Sequence, residues 1–156
     1  MQYPKWGTLL QVATALGRAE AVDWLLNQGA DANATAGDLA PLSLAVLAVT
    51  EDPERKIRIM QSLLDHGAAI DLVNKNGMTA LHVAAATYSK KIVEFLLHNG
   101  ADPLKRNKDG WTPMQLAQRS GFGTGLLGIA TPGDLAEKVP TIEVLRTAAR
   151  NSRPPQ

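Results

Sequence analysis

The sequence predicts an all-α solenoid: about four helix-turn-helix repeats joined by β-hairpin-like loops, with an elaborated last repeat. Two motifs running in phase carry this expectation. The first, Leu-Leu-x-x-Gly-Ala, occurs at Leu25–Ala30, Leu63–Ala68 and Leu96–Ala101, and Gly67 and Gly100 are 33 residues apart. The second is the run Thr79-Ala80-Leu81-His82-Val83-Ala84-Ala85, which recurs 33 residues later as Thr112-Pro113-Met114-Gln115-Leu116-Ala117. Looser copies start at Thr8 and Ala40. Self-similarity at such a period is the signature of stacked units. A stack presents a long surface and rarely a closed catalytic pocket.

Each repeat holds two apolar-periodic segments too short to be stable helices alone, so the stack must supply the burial. The repeats fall at about 5–33, 34–71, 72–104 and 105–150, one domain over 1–150 with a polar, Pro-rich flexible tail at 151–156. In repeat one the segment Leu9 to Leu16 follows Lys5 and mimics a secretory h-region. It carries Gln11 and fits the inner-helix register, so it reads as a helix of a terminal capping repeat. Repeat two has six extra residues near Val49 to Glu54, because Ala40 to Gly67 spans 27 positions where Thr79 to Gly100 spans 21. Asp52-Pro53 supplies an N-cap and a first-turn proline, predicting an outer helix over about 53–65. In repeat three Ile92, Val93, Phe95, Leu96 and Leu97 form an apolar stripe. Gly29, Gly67 and Gly100 follow the outer helices, where a left-handed residue releases the chain. His66 and His98 lie in last turns, where positive charge suits the helix dipole. Ala13, Ala45, Ala84, Ala85 and Ala117 let inner helices approach closely. Trp24 and Phe95 share one outer-helix position and are expected in the core.

Repeat four departs most from the pattern. Its inner helix, about Pro113 to Ser120, leads into a glycine-rich run from Gly121 to Gly133. An outer helix is expected only at Thr141 to Arg150, after an insertion of roughly 16 residues, with a further helical turn at Asp134 to Val139.

These motifs make the chain resemble the ankyrin repeat family, whose signature includes Thr-Pro-Leu-His-x-Ala and a Gly-Ala-Asp after the second helix. The resemblance covers roughly residues 6–148. It implies that His82 hydrogen-bonds hairpin backbone and tightens repeat packing. It also implies a non-catalytic module that binds another protein through its concave face and hairpin tips. Carried over by position, the tips offer Leu39, Lys75, Met78, Lys108 and Trp111, and the inner-helix ends offer Thr87, Tyr88 and Arg119. Trp111 is the sharpest of these, since Trp, Tyr, Met and Arg are enriched at interfaces. Lys105, Arg106 and Lys108 make one tip basic. Phe122, Leu126 and Leu127 in the insertion form a secondary candidate contact.

Composition narrows the chemistry. With 16 basic and 15 acidic side chains the formal charge is +1, which gives no argument for nucleic acid or an anionic membrane. Cysteine is absent, which removes disulfides, thiolate metal sites and Cys nucleophiles. No run of 18 apolar residues exists, so no membrane span is expected. Gly123 to Gly128 matches G-x-G-x-x-G, but a helix precedes it where the dinucleotide fingerprint needs a strand. No serine sits in a nucleophile elbow, no histidines share helical ligand spacing, and no nucleophile–base–oxyanion set emerges. No catalytic residue, metal or cofactor is therefore expected. The partner expected is a protein, bound by a cytoplasmic chain that is monomeric when free. The favoured specific version is a bacterial immunity protein occluding a toxin or enzyme. Two rivals are a nucleotide- or small-molecule-binding enzyme using the Gly121–Gly128 loop, and a scaffold that self-associates end to end.

Overall fold

Short apolar segments separated by glycine turns fold here as pairs of antiparallel helices. The computed structural model describes residues 9–35, 39–119 and 134–152, with side chains from residue 138 onward in the last segment. The inner layer comprises α1 (Leu9–Ala15), α3 (Pro41–Val46), α5 (Ala80–Ala86) and α7 (Pro113–Arg119). The outer layer comprises α2 (Ala19–Asn27), α4 (Pro53–Asp65), α6 (Lys90–His98) and α8 (Asp134–Asn151). Each inner helix packs on the next inner helix and on its own outer partner, and outer helices also pack in sequence, α2 on α4, α4 on α6 and α6 on α8. No strand is present among the described residues. The connections fold as tight turns, such as Asn74 N–H to the Met78 carbonyl at 3.0 Å and Asn107 N–H to the Trp111 carbonyl at 3.0 Å.

The core runs the length of the stack. Leu10, Val22, Ile59, Met60, Leu63, Leu81, Ile92, Leu96 and Leu145 are among its fully buried apolar members. The inner-layer alanines, Ala13, Ala45, Ala84, Ala85 and Ala117, are all buried between them. The outer helix of repeat two takes the expected bounds, with Asp52 accepting the Glu54 N–H at 3.0 Å and Pro53 in the first turn. Gly29, Gly67 and Gly100 all adopt positive φ.

Three expectations are corrected. Trp24 is not core: it is 62% exposed. Helix α2 buries Ala19, Val22 and Leu26, and Trp24 is two residues from Val22 and Leu26, about 200° round the helix from each. Phe95 at the equivalent position packs at the margin of the core. Second, α8 is one continuous helix, not a turn followed by a separate outer helix. Pro140 lies inside it, where it offers no N–H to the preceding turn and its ring crowds the carbonyl four residues back; the next residue, Thr141, anchors the helix to Tyr88. Third, the helix extends through Asn151, one residue beyond the bound expected for the outer helix, and Ser152 N–H still bonds the Ala148 carbonyl at 3.1 Å. Ser120, the Gly121–Gly133 run with Phe122, Leu126 and Leu127, and residues 153–156 lie outside the described residues.

Candidate partner-binding surface

The tips of repeats three and four are built by the same device. The Asn74 side-chain oxygen accepts N–H bonds from Asn76 and Met78, both at 2.9 Å. The Asn107 oxygen accepts from Asp109 at 3.1 Å and Trp111 at 2.9 Å. Asn favours such turns because its short amide can replace backbone partners. The two tips then join edge to edge, Lys108 N–H donating to the Asn76 carbonyl at 3.0 Å. Asn33 ties the first connection to the end of α4 in a similar way, donating to the Gly67 carbonyl at 2.9 Å and accepting from Ala69 N–H at 2.7 Å. These asparagines were missed as structural residues in the sequence. The recurrence of Asn-Lys-x-Gly at 74–77 and 107–110, at the repeat period, is the signal that could have found Asn74 and Asn107.

His82 fixes the fourth-repeat tip from behind. It is fully buried, and its Nε2 lies 3.0 Å from the Trp111 carbonyl. A carbonyl only accepts, so Nε2 carries the proton and Nδ1 is the acceptor. Nδ1 takes the Thr79 N–H at 3.2 Å and sits 2.9 Å from the Thr79 hydroxyl, closing a capping box on α5. Burial pushes the imidazole below its ordinary pKa, opposed by the bond to the Trp111 carbonyl. Gln11 does the equivalent work in repeat one, donating to the Ala34 and Leu39 carbonyls at 3.0 and 3.1 Å.

The proposed contact residues separate into two groups. Trp111 is half-buried, and the guanidinium carbon of Arg119 lies 4.4 Å from its ring centroid. Arg119, Lys108 and Lys75 are exposed, and Leu39 is half-buried. Met78 and Tyr88 do not belong to an open face: they are 4% and 5% exposed and join the core. Met78 has a flexible apolar chain that fills space between repeats. Tyr88 enters the repeat three–four interface, where its hydroxyl donates to the Ala117 carbonyl at 3.3 Å. Thr87 is half-buried and spends its hydroxyl on the Val83 and Ala84 carbonyls, both at 3.2 Å.

Charge is distributed unevenly between the two sides. The ion pairs Arg58–Glu20, Arg58–Asp23, Lys90–Glu94 and Lys91–Glu54 all lie on the outer layer. On the tips two cations meet carbonyls: Lys105 Nζ donates to the Asp71 carbonyl at 3.1 Å and Arg106 to the Gly110 carbonyl at 2.7 Å. Among the described residues, no group of three His, Cys, Asp or Glu side chains could hold a metal ion. None of the described helices is long and apolar enough to cross a membrane.

A two-layer stack of helix pairs with pinned tips defines a repeat-built binding scaffold. A family model for three consecutive ankyrin repeats matches residues 47–127, and a single-repeat model matches residues 7–36. The chain belongs to the ankyrin repeat family. Ankyrin repeats are generally non-catalytic protein–protein interaction modules. Among similar proteins, human transient receptor potential cation channel subfamily A member 1 is 34% identical over 116 residues, covering 73% of this chain and 10% of the channel. Human ankyrin repeat and SOCS box protein 6 is 35% identical over 113 residues, covering 67% of this chain and 26% of that protein. Human 2-5A-dependent ribonuclease is 41% identical over 66 residues, covering 42% of this chain and 9% of the ribonuclease. The chain thus spans between a tenth and a quarter of the channel and the SOCS box protein.

Proposed function

We propose that this chain captures a folded protein partner on the tip side of repeats three and four, with Trp111 as the anchor. One observation carries the reading: Trp111 stands half-open with Arg119 stacked on it at 4.4 Å, on a turn whose backbone is fixed by His82 and Asn107. A preorganised aromatic on rigid backbone costs little ordering on binding. Lys108 and, on the neighbouring tip, Lys75 flank it, and Leu39 on the tip of repeat two is a more distant, lesser contact. The narrower version is an immunity-type inhibitor that occludes a cognate toxin, and the departure of repeat four from the regular pattern supports that specialisation. The test is recovery of the partner by cross-linking in the source organism, followed by titration of the purified pair. Trp111→Ala should weaken binding by at least about 2 kcal/mol, roughly thirtyfold, with little change in melting temperature. Equal binding by Trp111→Ala would move the contact elsewhere, and deletion of residues 124–130 then asks whether the insertion makes it. For the immunity version, co-expression should relieve toxicity of the recovered partner.

A further inference from the structure

We infer that the Trp111–Arg119 stack, with Lys108 and Lys75 beside it, is a carboxylate-binding site that takes an acidic segment of the partner protein. This rests on the proposed tip-side contact and names the chemistry it selects. The argument begins with Arg119. Its guanidinium carbon lies over the indole ring, 4.4 Å from the centroid, and a guanidinium held against an aromatic face keeps N–H donors at its edge for an anion. A guanidinium with its face covered loses little further freedom when it forms the paired hydrogen bonds to a carboxylate. Arg119 has no carboxylate partner among the described residues.

The surroundings favour an anion. The tips and the end of α7 carry Lys75, Lys105, Arg106, Lys108 and Arg119 against Asp71, Asp102 and Asp109. Two of those carboxylates face backbone donors: Asp71 accepts the Asp102 N–H at 3.2 and 3.3 Å, and Asp102 accepts the Leu104 N–H at 2.8 Å. Lys105 and Arg106 are spent on carbonyls, which neutralise no charge. On the outer layer Arg58, Lys90 and Lys91 are paired with carboxylates, while Lys56 donates to the Val46 carbonyl. The spacing of the tips is fixed, because Lys108 N–H bonds the Asn76 carbonyl at 3.0 Å, so successive basic side chains stand one repeat apart. An extended acidic segment crossing the tips meets them in turn. Nucleic acid fits less well: phosphate-backbone binding draws on many cations, and the whole chain carries only +1.

The experiment uses the full chain and a capped hexaglutamate peptide, with hexaglutamine and an oligothymidylate of equal length as comparators, followed by amide, indole and guanidinium NMR shifts. Hexaglutamate should produce saturable shifts at the Trp111 indole, the Arg119 Nε–H and the 107–111 backbone, weakening with added salt, while the Trp24 indole stays unmoved. Arg119→Gln and Lys108→Gln should each reduce the affinity several-fold and together abolish it, with amide spectra otherwise superimposable on wild type. No saturable shift, shifts spread over outer-layer lysines, or tighter binding by oligothymidylate would each overturn the carboxylate assignment. Failure of the underlying contact is distinguishable: if the recovered partner ignores both Trp111→Ala and Arg119→Gln, the tip-side reading itself falls. If it responds to Trp111→Ala but not to Arg119→Gln, only the acidic-segment inference falls.

Discussion

Thr141 donates its hydroxyl to the backbone carbonyl of Tyr88 at 3.0 Å, joining positions 53 residues apart. Tyr88 is the second residue after α5, where repeat one has Gly17 after α1, and both are left-handed, with φ of 53° and 65°. An L-residue other than glycine is disfavoured there by roughly 1–2 kcal/mol. The compensation is visible: the ring is buried, the hydroxyl reaches the Ala117 carbonyl, and the carbonyl receives Thr141. One strained residue therefore fastens both helices of repeat four to repeat three.

Tyr88 should consequently resist the substitution that its backbone favours. Tyr88→Gly relieves the left-handed conformation but removes a buried aromatic, for a net loss of about 2–3 kcal/mol. Tyr88→Phe should lose only about 1 kcal/mol, the value of one hydrogen bond. Urea melts of the three proteins decide it. A Tyr88→Gly variant as stable as wild type would show that the ring does not hold α7 and α8.

The helix phase is tested by a matched pair on the outer layer. Leu96 is fully buried, whereas Trp24 is largely exposed. Leu96→Ala should cost about 2–5 kcal/mol through the cavity it leaves. Trp24→Ala, though it deletes more atoms, should stay within about 0.5 kcal/mol. Reversal of that order in thermal melts would mean the outer helices are rotated from the phase described.

His82 predicts a pH dependence of defined sign. Its folded pKa lies below the ordinary 6.5 because burial disfavours the charged ring. Below about 6.5 the unfolded chain then binds a proton that the folded chain resists, so stability falls as pH drops from there toward the folded pKa and levels off beyond it. Above about 6.5 this contribution is constant. His82→Gln, which copies the side chain of Gln11 and Gln115, should flatten the acid-side slope in melts between pH 7 and 5. An unchanged slope would assign the dependence to other groups.

Most of the fold was legible because it repeats. The Leu-Leu-x-x-Gly-Ala copies fix where outer helices end, and Asp52-Pro53 fixes where the lengthened one begins. Errors arose where a position is set by what lies across from it. Trp24 and Phe95 are equivalent in sequence, yet Phe95 packs at the margin of the core and Trp24 faces solvent. Met78 and Trp111 are likewise equivalent, but Met78 turns into the core and Trp111 stands half-open under Arg119. Tyr88 was read as a surface aromatic because its left-handed backbone and its bond to Ala117 belong to tertiary structure. The period could not show them.

The tip alignment gives a last prediction, in which two glycines separate backbone strain from close approach. Gly77 and Gly100 both adopt positive φ, 73° and 89°. A Cβ built on Gly100 meets nothing within 4 Å, whereas one on Gly77 falls 2.9 Å from the Lys108 backbone nitrogen. Gly100→Ala should therefore cost only the left-handed strain, about 1–2 kcal/mol. Gly77→Ala should cost that and also push apart the two tips, lengthening the bond from Lys108 N–H to the Asn76 carbonyl. The expected result is a larger loss of stability for Gly77→Ala. Hydrogen exchange at the Lys108 amide should accelerate in that variant and stay unchanged, relative to global stability, in Gly100→Ala. Because Lys108 flanks Trp111, Gly77→Ala should also weaken capture of an acidic peptide, although residue 77 is not a contact. Equal destabilisation by the two alanines, with Lys108 protection intact, would mean that the neighbouring tips yield freely and are not a preorganised edge.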